Sequence, residues 1–183
     1  MTIGTGIGGG IVIGGKIYRG AQGTAGRIGH IIVDYTESRP CTCGGYGCLE
    51  AYASATAITG EFVRAIGDER IQTELGLETL VLGVKDIADL AAAGHAEAQK
   101  VIQRGAMFLG IGIASLLNLL SPDRVIIGGG VAQIGKSYLS EVRRVALARA
   151  QGPSRSTPII AARLGTRANL LGAAELAWRK SES

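Results

Sequence analysis

Aromatic side chains make up only 4 % of the 183 residues, although 46 % of the chain is hydrophobic. A core drawn from this composition is built of Ile, Leu, Val and Ala, and 29 glycines imply many tight turns or close backbone approaches. The same scarcity bears on partners. Residues 1–99 hold 7 Lys and Arg against 11 Asp and Glu, while residues 100–183 hold 12 against 4. That basic half could suggest nucleic acid, but no stacking aromatics are interleaved with Arg143, Arg144, Arg149 and Arg155 and no groove-reading motif is visible. A solvated helix face is the better reading, and direct nucleic-acid binding is not expected.

Other absences narrow the class further. The longest apolar run, Ala106 to Leu120, is shorter than a membrane span and carries Ser115 and Asn118. Met1 leads directly into a glycine-rich strand pattern, without the basic, apolar and small-residue order of a signal peptide. A soluble cytoplasmic protein is expected, with no membrane partner. The length suits one domain over residues 1–183. Cysteine occurs three times, an odd number, and Cys41 and Cys43 are too close to pair without strain, which argues against a disulfide framework.

Those three cysteines, Cys41, Cys43 and Cys48, follow His30 closely and are separated by Gly44, Gly45 and Gly47. Zn²⁺ accepts imidazole nitrogen and thiolate sulfur in a tetrahedron, and a Cys₃His set fills all four positions. The expected metal is therefore structural, with no open position for activating water. Three reduced core thiols beside a satisfied histidine are the plainer alternative. Glu50 comes two residues after Cys48, so a bound metal would fix where its carboxylate points. That carboxylate suits sugar hydroxyls, because one group accepts two hydrogen bonds; the simpler role is a first-turn glutamate on the helix dipole. If one nitrogen of His30 binds zinc, the other needs an acceptor or a ligand hydroxyl.

Along the chain, Thr2 to Ile13 reads as strand, turn and strand, and Gly14-Gly15 as a hairpin turn into Lys16-Ile17-Tyr18, giving a small antiparallel meander. A helical pattern starts at Leu49, breaks, and restarts before Ile58. Gly67 to Gly83 is polar and weakly patterned. Val84 begins a helix that stops at Gly94. A long helix from His95 to Leu120 is apolar on every side in its second half, as in a buried central helix. It could alternatively support a homodimer. Gly105, Gly110 and Gly112 cost about 1 kcal/mol each relative to Ala, so close packing against a neighbour is expected there. Arg124 to Ile127 reads as a buried strand entering Gly128-Gly129-Gly130, followed by a helix from Lys136 to Ala150. Pro158 to Ala162 is the last strand, and Asn169 to Lys180 a terminal helix with Leu170, Ala173, Ala174 and Ala177 inward. The class is α/β.

Two glycine turns could meet phosphate. Thr5 to Gly10 offers backbone N–H groups unhindered by side chains together with a hydroxyl. Gly128 to Gly130 lies between a strand and a helix, where a nucleotide can sit. Neither is a Walker loop or a dinucleotide fingerprint.

The strings AGRIGH, CTCGGYGCLEAYASATAI, GTGIGGG, IIGGGV and the terminal LLGAAELA resemble the ROK family of bacterial sugar kinases and sugar-responsive repressors, with the pattern nearest its glucokinases. The resemblance implies a ribonuclease H-like, actin-like ATPase fold whose two lobes hold hexose and ATP with magnesium. It implies that Thr5 and Gly6 face ATP phosphates, that Gly129 and Gly130 lie near the adenosine, that Glu50 and His30 contact sugar hydroxyls, and that His30, Cys41, Cys43 and Cys48 bind zinc. The family's first phosphate loop and the Asn-Asp pair bearing its catalytic base have no match here. The chain thus resembles a C-terminal lobe, inactive by itself and without a catalytic residue. Arg27 stands where family kinases carry a sugar-binding glutamate. It inverts that charge, and suits bidentate contact with an anionic ligand such as a sugar phosphate or sugar acid, or else marks a site that has drifted from sugar.

Overall fold

The computed structural model describes residues 1–36, 39–76, 78–79 and 81–181. Strand β1 (Thr2–Ile3) pairs antiparallel with β2 (Ile7–Gly8), Ile3 opposite Ile7. Strands β3 (Ile11–Ile13) and β4 (Lys16–Tyr18) form a second hairpin around Gly14 and Gly15, at φ of 57° and 76°, the left-handed pair that a two-residue hairpin turn needs. The expected single meander is therefore two separate ladders. Between them Gly9 passes directly over the Ile28 side chain, which occupies the space a Cβ would take.

Strand β1 belongs with the C-terminal half of the chain. The Ile3 N–H donates to the Gly128 carbonyl at 2.9 Å and the Gly128 N–H to the Met1 carbonyl at 2.8 Å, which sets β1 parallel to β5 (Val125–Ile127). In turn β5 pairs parallel with β6 (Ile159–Ala161). The three form the sheet that receives the helices. Val125, Ile127 and Ile159 point into the core, whereas Ile126 is 46 % exposed, so the strand expected to be buried throughout is covered on one face only.

Helices α1 (Glu50–Ala53) and α2 (Ala55–Ile66) are divided at Ser54, where ψ is 160° and the hydroxyl accepts from the Ala57 N–H at 3.1 Å. This is an N-cap restarting the chain in a new direction. The weakly patterned stretch after Gly67 contains a further helix, α3 (Asp68–Leu75). Asp68 and Glu69 favour its N-terminus, Gly76 ends it in the left-handed region, Ile71 is fully buried in the core and half-buried Leu75 packs against the same cluster. One such pair in a short helix leaves little periodicity to read. Leu77 and Leu80 of that stretch lie outside the described residues.

Helices α4 (Val84–Ala92) and α5 (Ala96–Leu120) follow, then α6 (Lys136–Arg149) and α7 (Ala168–Ser181). Helix α5 is the axis of the molecule. One end packs Ala98 and Val101 against Ile58, Phe62 and Ile87, while the other packs Leu109, Ile113 and Leu117 among Leu49, Val142 and Ile127. Its glycines are approach points, as expected. A Cβ on Gly110 would stand 2.6 Å from Val145 Cβ, one on Gly112 2.6 Å from Leu49 Cδ2, and one on Gly105 2.7 Å from Ile58 Cδ1. The helix is long and apolar enough to cross a membrane by those criteria, but 61 % of its apolar window is buried in this chain, which supports the core-helix reading. It is not buried on every side: Ser115 is exposed and Leu119 is 81 % exposed.

Helix α7 departs most from expectation. Leu170, Ala173, Ala174 and Ala177 are all exposed, and the main packing partner of the helix among the described residues is the turn that precedes it.

Candidate functional site

The site begins at the turn Ile28–His30. After it the chain runs antiparallel to the segment at Cys48, with Val33 N–H to Gly47 carbonyl and Leu49 N–H to Ile31 carbonyl both at 2.9 Å. A smaller loop closes inside this pair, Pro40 bridging Tyr46 and the Cys41 N–H donating to the Gly45 carbonyl at 2.9 Å. These two closures gather the ligand atoms of His30, Cys41, Cys43 and Cys48 within 4.8 Å of one another. Cys41 Sγ lies 3.7 Å from His30 Nδ1, and Cys43 Sγ 3.7 Å from Cys48 Sγ. A tetrahedron with Zn–S of about 2.3 Å and Zn–N of about 2.0–2.1 Å separates its ligands by about 3.5–3.8 Å, so the donor set fits zinc in chemistry and the two 3.7 Å separations match that spacing.

The environment of the thiols is uneven. The Gly45 backbone N–H, helped by the other sulfurs, lowers the Cys43 thiol, which is exposed. Burial, reinforced by Cys41 and Cys43, pushes the Cys48 thiol up to about 12. A buried thiolate at Cys48 needs a cation beside it.

Glu50 opens α1, but its carboxylate is held by distant groups. Oε2 accepts the Ile7 N–H at 2.7 Å and Oε1 accepts the Thr42 hydroxyl at 3.2 Å. One side chain thus ties the first glycine turn to the cysteine loop, a stronger constraint than the helix dipole. Gly6 is the close-approach point, since a Cβ there would stand 2.6 Å from Oε2. A cavity of about 740 Å³ opens at this junction, its wall including Thr5, Thr42, Glu50, Ser54, Arg39 and Glu61.

The structure also brings the two glycine turns together. Thr5 and Gly6 follow β1, and Gly129, at φ 89°, lies so close to the Ile3 backbone that a Cβ would stand 2.7 Å from its carbonyl carbon. Both turns leave the carboxyl ends of adjacent parallel strands, where α/β folds bind ligands. Gly130 begins a short 3-10 turn over Gly130–Gln133, with a second cavity of about 420 Å³ nearby, lined by Gln99, Ile102, Ile134, Ser137 and Glu141 among others. Of the three residues expected to contact sugar, only Glu50 lines the larger cavity: His30 is half-buried and Arg27 exposed, and neither lines it, nor do Gly6, Gly129 and Gly130 of the expected nucleotide site. Among the described residues Arg27 has no ion-pair partner. Sequence reasoning missed Thr42, although its position between two cysteines is a signal. It also missed Arg39 and Glu61, which are paired at 2.9 Å across a separation that carries none.

The sequence pattern of the ROK family matches residues 1–180. The glucokinase of Halalkalibacterium halodurans is 41 % identical over 147 residues, covering 79 % of this chain and 44 % of that protein. The xylose repressor of Caldicellulosiruptor bescii is 32 % identical over 146 residues, covering 79 % and 36 %. Among solved structures, a ROK family glucokinase from Streptomyces griseus in complex with glucose and AMPPNP superposes with a TM-score of 0.81 at 36 % identity, covering 96 % of this chain and 58 % of that one. The chain spans about half the length of the proteins it matches.

Proposed function

The chain belongs to the ROK family, with the mixed α/β, actin-like fold of its sugar kinases, and from that premise we propose that it is the zinc-holding C-terminal lobe, one domain over residues 1–183, of a kinase that transfers phosphate from ATP to a hexose. His30, Cys41, Cys43 and Cys48 hold zinc. The metal supplies no chemistry of its own beyond fixing the loop that presents His30 and Glu50. With Nδ1 turned to Cys41, His30 keeps Nε2 for a sugar hydroxyl. Glu50, oriented by Ile7 and Thr42, accepts from further hydroxyls. Thr5 and Gly6 face the phosphates, and Gly129 and Gly130 the adenosine. Arg27, exposed and without an ion pair among the described residues, contacts an anionic sugar substituent.

The observation that carries this reading is the shared cavity. Thr5 from the first glycine turn and Glu50 from the start of α1 both line it, so the proposed phosphate-binding element and a hydroxyl acceptor border the same space. Binding is the test. Thermal unfolding with glucose, xylose, N-acetylglucosamine, their phosphates and ATP should show stabilisation by one sugar and by ATP. No shift with any of them sinks the reading. Zinc is checked by metal analysis of the purified chain, and a stable zinc-free protein would remove it.

The repressor relative supports a second reading, a sugar-sensing domain of a transcription regulator. The coding sequence upstream separates the two. A phosphate loop with an Asn-Asp pair supports the kinase, and a helix-turn-helix supports the regulator.

A further inference from the structure

Arg39 is fastened through both its backbone and its guanidinium. Its carbonyl accepts the Gly47 N–H at 2.9 Å and its N–H donates to the Tyr52 hydroxyl at 3.2 Å, which makes its backbone part of the cysteine-loop closure. Its guanidinium lies 4.7 Å from the centroid of the Tyr52 ring and donates to Glu61 on α2 at 2.9 Å. Glu61 also lies 3.4 Å from Arg104 on α5. The pair is largely shielded, with side chains 19 % and 16 % exposed, so solvent and salt screen it less than the surface pairs of α3 and α4. Beneath it Tyr52 stacks on Phe108 at 4.2 Å.

From this arrangement we infer that Arg39 and Glu61 are positioning residues that lock the cysteine loop onto α2 and α5 and govern how fast the loop releases its metal. The inference rests on the zinc reading above. Arg39 stands two residues before Cys41 and, together with the Thr42–Glu50 hydrogen bond, ties the loop to the helical body, so a loosened Arg39 weakens the hold on Cys41 and Cys43 together. Both residues also line the larger cavity, which places the lock where a bound ligand would bear on it.

The experiment follows transfer of Zn²⁺ from the full chain to a chromogenic chelator. Arg39→Met and Glu61→Gln should each release metal at least about tenfold faster, the lower end for partners that orient metal ligands. The double variant should fall short of the combined effect of the singles, because they share the Arg39–Glu61 contact. Arg39→Lys should recover part of the loss, and Lys85→Gln, on the exposed pair of α4, should release at the parent rate. Parent rates in both single variants, or strictly additive effects, overturn the inference. Should the purified chain hold no zinc, the metal reading fails, and alkylation of Cys48, followed by peptide mass, reads the same lock directly. Cys48 then labels faster in both variants if the lock exists, and equal labelling overturns it.

Discussion

Helices α5 and α7 both carry apolar residues at helical spacing, yet Leu109, Ile113 and Leu117 of α5 are fully buried while Leu170 and Trp178 of α7 are 72 % and 67 % exposed. The glycines differ in the same way. A Cβ on Gly110 would press on Val145 and lie 3.0 Å from the Val142 carbonyl, whereas nothing stands within 4 Å of one on Gly172. Periodicity specifies that a face is apolar; only a second surface turns that face into stability. Helix α5 meets four helices and the sheet. For α7 the described residues offer little beyond the turn that precedes it. Short isolated helices are marginal in water, so α7 is the element whose order depends most on something beyond its own sequence.

The comparison can be broken by substitution. Leu117→Ala should cost about 2–5 kcal/mol in chemical denaturation, the range for a fully buried leucine, and Leu170→Ala no more than about 0.5 kcal/mol. A cost above about 1 kcal/mol at Leu170 would mean that α7 packs in solution, and the contrast would fall. Gly110→Ala should lose about 1–3 kcal/mol through overpacking against α6, whereas Gly172→Ala should gain up to about 1 kcal/mol from helix propensity. Equal effects at the two glycines would remove the distinction. Ser54→Ala should cost about 1 kcal/mol, since its hydroxyl caps α2, and a neutral result would assign the α1–α2 break to packing alone. At neutral pH the smallest effect belongs to Cys48. In the metal-free chain its raised thiol contributes stability that is present below the ordinary value of 9.0 and is lost as pH rises toward about 12, because the unfolded thiol ionises first. The zinc-loaded chain should lack this alkaline decline, which paired denaturation curves at pH 8 and above would check.

Much of the candidate site is legible in the chain itself. The four ligand residues are close in sequence, and local closures such as Pro40 to Tyr46 suffice to gather them. Glu50 is legible as a residue, but its bonds to Ile7 and Thr42 are not, because they join segments that no spacing relates. The same holds for Arg39 and Glu61. In the fold, long elements with many apolar positions are readable, as α5 is, along with the helix break at Ser54 and the hairpin at Gly14-Gly15. Helix α3, held by Ile71 with only half-buried Leu75 beside it, is not.

By itself the sequence determines the order of the elements, the Cys₃His set and the two glycine turns, since each depends on residue type and on neighbours a few positions away. Tertiary structure decides which strands share a sheet, which face of β5 is covered, and that Thr5 and Glu50 border one cavity. Those outcomes require contacts between residues far apart in the chain, whose backbone hydrogen bonds and buried surface exist only once the helices have closed on the sheet.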